Sequence, residues 1–140
     1  MTAEIGQAAI YLSVLSCLWA IGFLSFGLRI RNARAIQSGR NAVVATFILT
    51  SIATGALIYG FVTDDFSMRY VFEVSSAAQP LFYKITALWG AMSGSLLLWL
   101  WVLTGAGAIV VWQNYQRVKQ TGDTLADYSL IPIAIVQLFF

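Results

Sequence analysis

The sequence contains no histidine, one cysteine and few charges, since 10% of its 140 residues are charged and 59% are hydrophobic. A single cysteine, Cys17, excludes an internal disulfide and a cysteine pair for metal or redox chemistry. We interpret it as a small apolar side chain, because its neighbours in sequence are apolar. Glycine-rich phosphate loops and pairs of nucleophile and base are also absent. The residues themselves therefore predict no catalytic and no metal site.

What the sequence does contain is long uncharged stretches, which are too apolar for a water-soluble domain. About 20 apolar residues in a helix cross the 30 Å hydrocarbon core of a bilayer. The predicted spans cover residues 5–28, 41–63, 96–112 and 128–140. We predict an all-α membrane protein: a polytopic helix bundle, residues 1–140 forming one membrane domain, with three transmembrane helices and the start of a fourth.

The two ends of the sequence bear on whether the chain is whole. No Lys or Arg precedes the first apolar run, which is also too long for a cleaved signal peptide, so we expect a retained span. The last run stops at Phe140 without a polar anchor. We therefore expect this chain to be the N-terminal part of a larger protein.

Basic residues predict the orientation in the membrane. Arg29, Arg31, Arg34 and Arg40 lie between the first two predicted spans, and Arg117 and Lys119 lie between the third and fourth. Only Arg69 and Lys84 lie in the remaining loop, which gives six against two of the eight basic residues. The positive-inside rule then predicts a multi-pass protein of the inner (plasma) membrane with its N-terminus outside. No base-stacking aromatic residues lie beside the arginines, so we expect no nucleic-acid partner. We expect membrane lipid to surround the helices.

The predicted outward loop, residues 64–95, has its own pattern. Residues 66–74 alternate apolar and polar side chains, which is typical of a half-buried extended segment. After Pro80, apolar residues recur every three to four positions, which predicts an interfacial helix before the third span. Asp64, Asp65 and Glu73 are compatible with a cation site, although carboxylates at a span end more often face water. An aromatic anchor without chemistry is the alternative interpretation of the whole loop.

Several short motifs of this chain resemble the CcmF/NrfE-type haem lyases of cytochrome c maturation, in the same order along the sequence. They are Glu4-Ile5-Gly6, Asp65-Phe66, Tyr70-Val71, Ser75-Ser76, Pro80-Leu81, Tyr83-Lys84, Trp89-Gly90 and Gly94-Ser95-Leu96-Leu97-Leu98-Trp99. The structural signature of the outward loop is Tyr83, Lys84, Trp89, Gly90, Gly94, Ser95 and Trp99. One departure is that Met92-Ser93 replace the His-Glu pair that is usual in the family.

The resemblance implies attachment of haem to apocytochrome c in the intact protein, with a haem chaperone, apocytochrome c and the rest of the haem lyase as partners. It also implies a tryptophan-rich segment with flanking histidines, which this chain lacks. Haem iron takes His, Met, Cys or Tyr as axial ligands, and no such residue here stands at a family ligand position. We therefore expect no haem on this chain alone and no catalysis by it.

Three hypotheses for the function follow. The first is the N-terminal membrane segment of a cytochrome c-type biogenesis haem lyase, which helps form the outward platform for haem attachment. The second is a non-catalytic scaffold or partner subunit of the same family, which the absence of histidine and the Met92-Ser93 pair permit. The third is a fragment of an unrelated permease, against which stands the absence of charge within the predicted spans.

Overall fold

A computed structural model describes residues 2–63, 86, 92–121 and 125–140, and its elements in these ranges are all helical. They are α1 (Thr2–Ile30), α2 (Ala33–Val62), α3 (Met92–Thr121), a 3₁₀ helix (Leu125–Ser129) and α4 (Leu130–Phe139). Apart from Thr86, the extended segment, the acidic residues and the interfacial helix predicted for the outward loop lie outside the described residues.

Helices α1, α2 and α3 are each long and apolar enough to cross a membrane, since each contains a window of 18 residues with a mean hydropathy of 1.9 to 2.0. Only 28% to 33% of each window is buried within the chain. Large apolar side chains such as Trp19, Phe26 and Trp112 are more than half exposed. In water such a surface would promote association, whereas in a bilayer it faces lipid. The predicted all-α membrane bundle, with three long apolar helices and a shorter fourth, is confirmed.

All three long helices extend beyond the predicted spans, and the starts of α2 and α3 bear on the loops between them. Helix α2 begins at Ala33, so that Arg34 and Arg40 belong to the helix and the connection to α1 shrinks to two residues. Helix α3 begins at Met92 and takes in residues that the pattern had placed in the outward loop. Both extensions follow from the rise of 1.5 Å per residue, which lets a helix of about 30 residues project beyond the hydrocarbon core at either end. The membrane boundaries themselves stay a prediction.

A two-residue turn joins α1 to α2 as a tight helical hairpin. Arg31 takes a left-handed backbone conformation with φ of 53°, a geometry that usually selects glycine at a helix end. The Asn32 N–H then bonds to the Gly27 carbonyl at 2.9 Å, which closes the end of α1. The Asn32 side chain accepts bonds from the backbone N–H groups of Arg34 at 3.0 Å and Ala35 at 3.4 Å, which caps α2.

Two glycines allow the hairpin to pack closely. A Cβ atom on Gly27 would lie 2.8 Å from the Ile36 backbone nitrogen, and one on Gly39 would lie 2.5 Å from Leu24 Cγ. Leu24 is fully buried against α2 as a result. Close backbone approach lets dispersion and hydrogen bonding hold helices together where lipid removes the hydrophobic drive.

The remaining helices pack around this hairpin. Helix α3 lies against α2, and the short α4 lies against both α1 and α3. Leu130 and Ala134 of α4 are fully buried, in the same apolar cluster as Val43 of α2. Pro132 stands in the first turn of α4, where a missing N–H donor costs little. Arg40 near the start of α2 and Asn114 near the end of α3 both bond to the 3₁₀ helix. The end of α1, the start of α2 and the end of α3 therefore share one end of the bundle, which we call the basic end for its Arg and Lys residues.

The cap at Asn32 supplies a test of the hairpin. Asn32→Ala removes the acceptor for two N–H groups of α2, and we expect it to lower the free energy of unfolding by about 1 kcal/mol. Asn32→Asp keeps an acceptor at the same place and serves as the matched control. Reversible unfolding in mixed detergent micelles, followed by circular dichroism, measures both. Equal stability of the Ala and Asp variants would show that the cap contributes nothing.

Candidate functional site

The loop signature is divided between described and undescribed parts of the chain. Tyr83, Lys84, Trp89 and Gly90 lie outside the described residues. Gly94, Ser95 and Trp99 lie in the first two turns of α3, which starts at Met92.

The position of Gly94 changes the interpretation of this glycine. The sequence analysis assigned it to the predicted outward loop, residues 64–95, yet it is helical and buried. A helical backbone does not require the conformational freedom of glycine, so Gly94 does not form a turn before α3. Trp99, one turn further on, is 62% exposed, which suits an aromatic side chain at the lipid-facing surface.

A buried ion pair joins α2 to the 3₁₀ helix. Arg40 Nε donates to Asp127 Oδ1 at 2.9 Å, and Arg40 Nη2 donates to Asp127 Oδ2 at 2.5 Å. The two side chains are 6% and 0% exposed. This two-point geometry matches the planar guanidinium to the carboxylate, so that each charge is neutralised where water does not reach it.

Neighbouring polar groups complete the ion-pair region. Asn114 of α3 donates from Nδ2 to the Ala126 carbonyl at 2.9 Å, and Ser129 Oγ donates to the same carbonyl at 2.6 Å. The 3₁₀ helix is thereby attached to α2 through Asp127 and to α3 through Ala126. This arrangement fixes where α4 begins.

The sequence interpretation did not find this pair. It grouped Arg40 with the other arginines as a topology signal and counted no charge within the spans. Arg40 lies seven residues into α2, about 10 Å along the helix from Ala33. A single acidic residue, Asp127, flanked by apolar residues just before an apolar run was the available signal, but its partner is 87 positions away.

A second polar cluster lies deeper between the helices. Thr50 of α2 and Thr104 of α3 share a hydroxyl–hydroxyl bond of 3.0 Å, and both are fully buried. Cys17 Sγ lies 3.8 Å from Thr46 Oγ1 and 4.0 Å from Gln137 Oε1, which confirms its burial and adds weak polar contacts.

Gln137 of α4 also depends on a glycine in α3. Its Nε2 donates to the Leu103 carbonyl at 3.4 Å, and a Cβ on Gly107 would lie only 2.7 Å from that nitrogen. The absence of a side chain at Gly107 thus makes room for the amide. Together these contacts position helices, and in the described ranges no group of three His, Cys, Asp or Glu side chains could hold a metal ion.

Comparison with known proteins defines the class to which this bundle belongs. No family model matches the chain. The cytochrome c-type biogenesis protein CcmF of Haemophilus influenzae is 38% identical over 97% of this chain, and CcmF of Escherichia coli is 32% identical over the same share. CycK of Rhizobium meliloti is 34% identical over 79% of it.

A solved structure described as cytochrome c haem lyase CcmF has the same fold, with a TM-score of 0.86 over 99% of this chain at 24% identity. Fold and sequence together place the chain among membrane proteins of cytochrome c biogenesis. It belongs to the CcmF/NrfE-type family, as its motif resemblance indicated. The chain spans 21% of the length of the Haemophilus and Escherichia relatives and 23% of the solved chain.

Two of the usual axial ligands of haem are scarce in this chain. The sequence has no histidine and one cysteine. Cys17 is 3% exposed and enclosed by Thr46 and Gln137, so that its sulfur faces no space for a porphyrin. No haem chemistry is therefore derived from these side chains.

The ion pair generates a prediction about stability. Asp127→Asn leaves the Arg40 guanidinium buried without an anion. We expect this variant to lower the free energy of unfolding by roughly 3–5 kcal/mol. Arg40→Met combined with Asp127→Leu removes both charges and should restore most of that stability. Unfolding in mixed micelles measures the three proteins, with the exposed Arg29→Gln as control. A single variant as stable as the parent would contradict the importance of the pair.

Proposed function

We propose that this chain forms the N-terminal membrane portion of a cytochrome c-type biogenesis haem lyase and helps build the outward platform where haem is attached to apocytochrome c. The observation that carries this proposal is similarity along 97% of the chain to proteins of cytochrome c biogenesis. The matching fold of a haem lyase supports it.

The arrangement of helices is consistent with such a platform. Helix α2 ends at Val62 and α3 begins at Met92, and the two helices pack side by side. The segment between them therefore starts and finishes at the same end of the bundle, opposite the basic end. A rigid base of this kind could hold the loop signature in one place, because both of its attachment points are helical.

Haem in this proposal is bound by other parts of the intact protein. The donor set of this chain lacks imidazole, so its contribution is shape and position. A haem chaperone and apocytochrome c are the proposed partners, and the inner membrane with the N-terminus outside is the proposed location.

A non-catalytic scaffold or partner subunit of the same family is the second candidate. Met92-Ser93, in place of a His-Glu pair, and the absence of histidine favour it. Family membership removes the unrelated permease from consideration. The two remaining candidates differ in whether changes in this chain alter cytochrome c maturation directly.

The proposed orientation predicts a labelling pattern. An impermeant thiol reagent should react from outside with a cysteine at Ser76, and should react with one at Ala33 only after permeabilisation. Ala33 is exposed at the start of α2, beside the basic turn. The parent chain is the control, since its Cys17 is buried. The opposite pattern would overturn the orientation and the outward position of the loop.

The platform role predicts a maturation defect. Gly94→Val puts a branched side chain into a buried position of α3, and Trp89→Ala removes an aromatic residue of the signature. In the complete protein we expect each variant to reduce cytochrome c maturation several-fold, measured by haem staining of the product, at unchanged membrane levels.

Two controls distinguish a platform role of the outward loop from a role as a membrane anchor alone. Met92→Ala should retain nearly normal maturation, because this sequence already lacks the family's polar pair there. Trp89→Phe should restore part of the activity that Trp89→Ala loses. Normal maturation by both Gly94→Val and Trp89→Ala would show that the loop is only a membrane anchor.

A further inference from the structure

A cleft between α2 and α3 opens on the lipid-facing surface near the basic end. It has a volume of about 340 Å³. Its lining consists of Gln37, Arg40 and Val44 from α2, and Ala108, Val111, Trp112 and Tyr115 from α3. Because most of these side chains are apolar, the cleft suits a hydrocarbon chain better than a polar solute.

The mouth of the cleft is polar on one side only. Gln37 and Tyr115 mark its end nearest the basic turn, and both are exposed. One helical turn further, about 6 Å, lie Arg34 on α2 and Lys119 on α3. Lys119 Nζ lies 4.6 Å from the centre of the Tyr115 ring, so its ammonium group lies beside a side chain that lines the cleft.

Among the residues that the structure describes, no acidic side chain pairs with either of these two basic side chains. In the described part of the chain, Arg40 and Asp127 form an ion pair with each other. Neither Arg34 nor Lys119 has a described carboxylate within ion-pair distance. A ligand that fits this place has an apolar tail for the cleft and a negative group for its mouth.

We propose that the α2–α3 cleft binds an anionic phospholipid, with one acyl chain against Val44, Ala108 and Trp112 and the phosphate between Arg34 and Lys119. Charge complementarity selects this occupant, since anionic lipid headgroups lie at the depth where spans carry basic residues. The proposal does not depend on the haem lyase assignment.

A second groove on the bundle shows why the choice of lipid headgroup depends on basic side chains. It lies between α1 and α2, is somewhat larger at about 400 Å³, and is lined by Leu15, Ser16, Trp19, Ser38, Asn41, Ala42 and Ala45. Its lining contains no basic side chain. It therefore gives no preference for an anionic headgroup, and provides an internal comparison.

The first experiment measures lipid selectivity. The protein is released from nanodiscs containing phosphatidylcholine with a small share of phosphatidylglycerol, and native mass spectrometry counts the lipids retained. We expect one phosphatidylglycerol to be retained in preference to phosphatidylcholine. Arg34→Gln with Lys119→Gln should weaken that retention by about 25-fold, which is about fivefold for each charge removed.

The matched control removes two positive charges from the same end of the bundle. Arg29→Gln with Arg31→Gln changes exposed side chains on or beside α1, which does not line the cleft. We expect this double variant to keep the selectivity of the parent. An equal loss in both double variants would overturn the proposal, because it would indicate attraction by net charge alone.

A second readout locates the acyl chain. Phosphatidylglycerol with a brominated acyl chain should quench the fluorescence of Trp112, which is 64% exposed and lines the cleft. Trp112→Phe should remove most of the quenching that occurs at low lipid fraction, and Trp19→Phe, in the other groove, should remove little.

Two further results would overturn the site. Quenching that is the same with brominated phosphatidylcholine would show a cleft without headgroup selectivity. Displacement of phosphatidylglycerol by inorganic phosphate at low millimolar concentration would show an anion site in which the acyl chain plays no part. Retention of phosphatidylglycerol in the presence of phosphate supports the lipid.

Discussion

The buried pair of Arg40 and Asp127 is the contact on which the arrangement of the basic end depends. An isolated charge is expensive to bury, so each of these side chains needs the opposite charge of the other beside it inside the bundle. Arg40 belongs to α2, whereas Asp127 follows α3 and directly precedes α4. Pairing these two charges therefore determines where the 3₁₀ helix lies and where the fourth helix begins.

The deeper contacts between the helices are of a weaker kind. The hydroxyls of Thr46, Thr50 and Thr54 each donate to a backbone carbonyl four residues earlier in α2. Because a hydroxyl has one proton, such residues have little left to donate to a neighbouring helix. The bond between Thr50 and Thr104 must therefore compete with these local bonds. Hydrogen bonds of this sort in membranes contribute modestly, about 0.6 kcal/mol on average, so close packing at glycines holds this part of the bundle.

The sequence was sufficient to predict what depends on neighbouring residues. Runs of apolar residues gave the number and the class of the helices, since a membrane demands length and hydrophobicity from each span separately. Contacts between residues that are distant in the sequence could not be predicted from these patterns. Arg40 looks like any basic residue beside a span until a carboxylate 87 positions later is placed against it. Gly94 was assigned to the outward loop, because a glycine within a helix and one within a loop are identical in sequence.

The basic residues show how one set of side chains can serve separate purposes. The positive-inside rule counts Lys and Arg whether or not they later find a partner, so Arg40 is one of the residues on which the proposed orientation rests. Once folded, Arg40 is neutralised by Asp127 and contributes little field at the surface. Arg34 and Lys119 lie further out and keep their charge available for lipid headgroups. If the segment between α2 and α3 acts in haem attachment, the ion pair and the proposed lipid contacts lie at the opposite end of the bundle. Sequence changes at that end then interfere least with haem attachment.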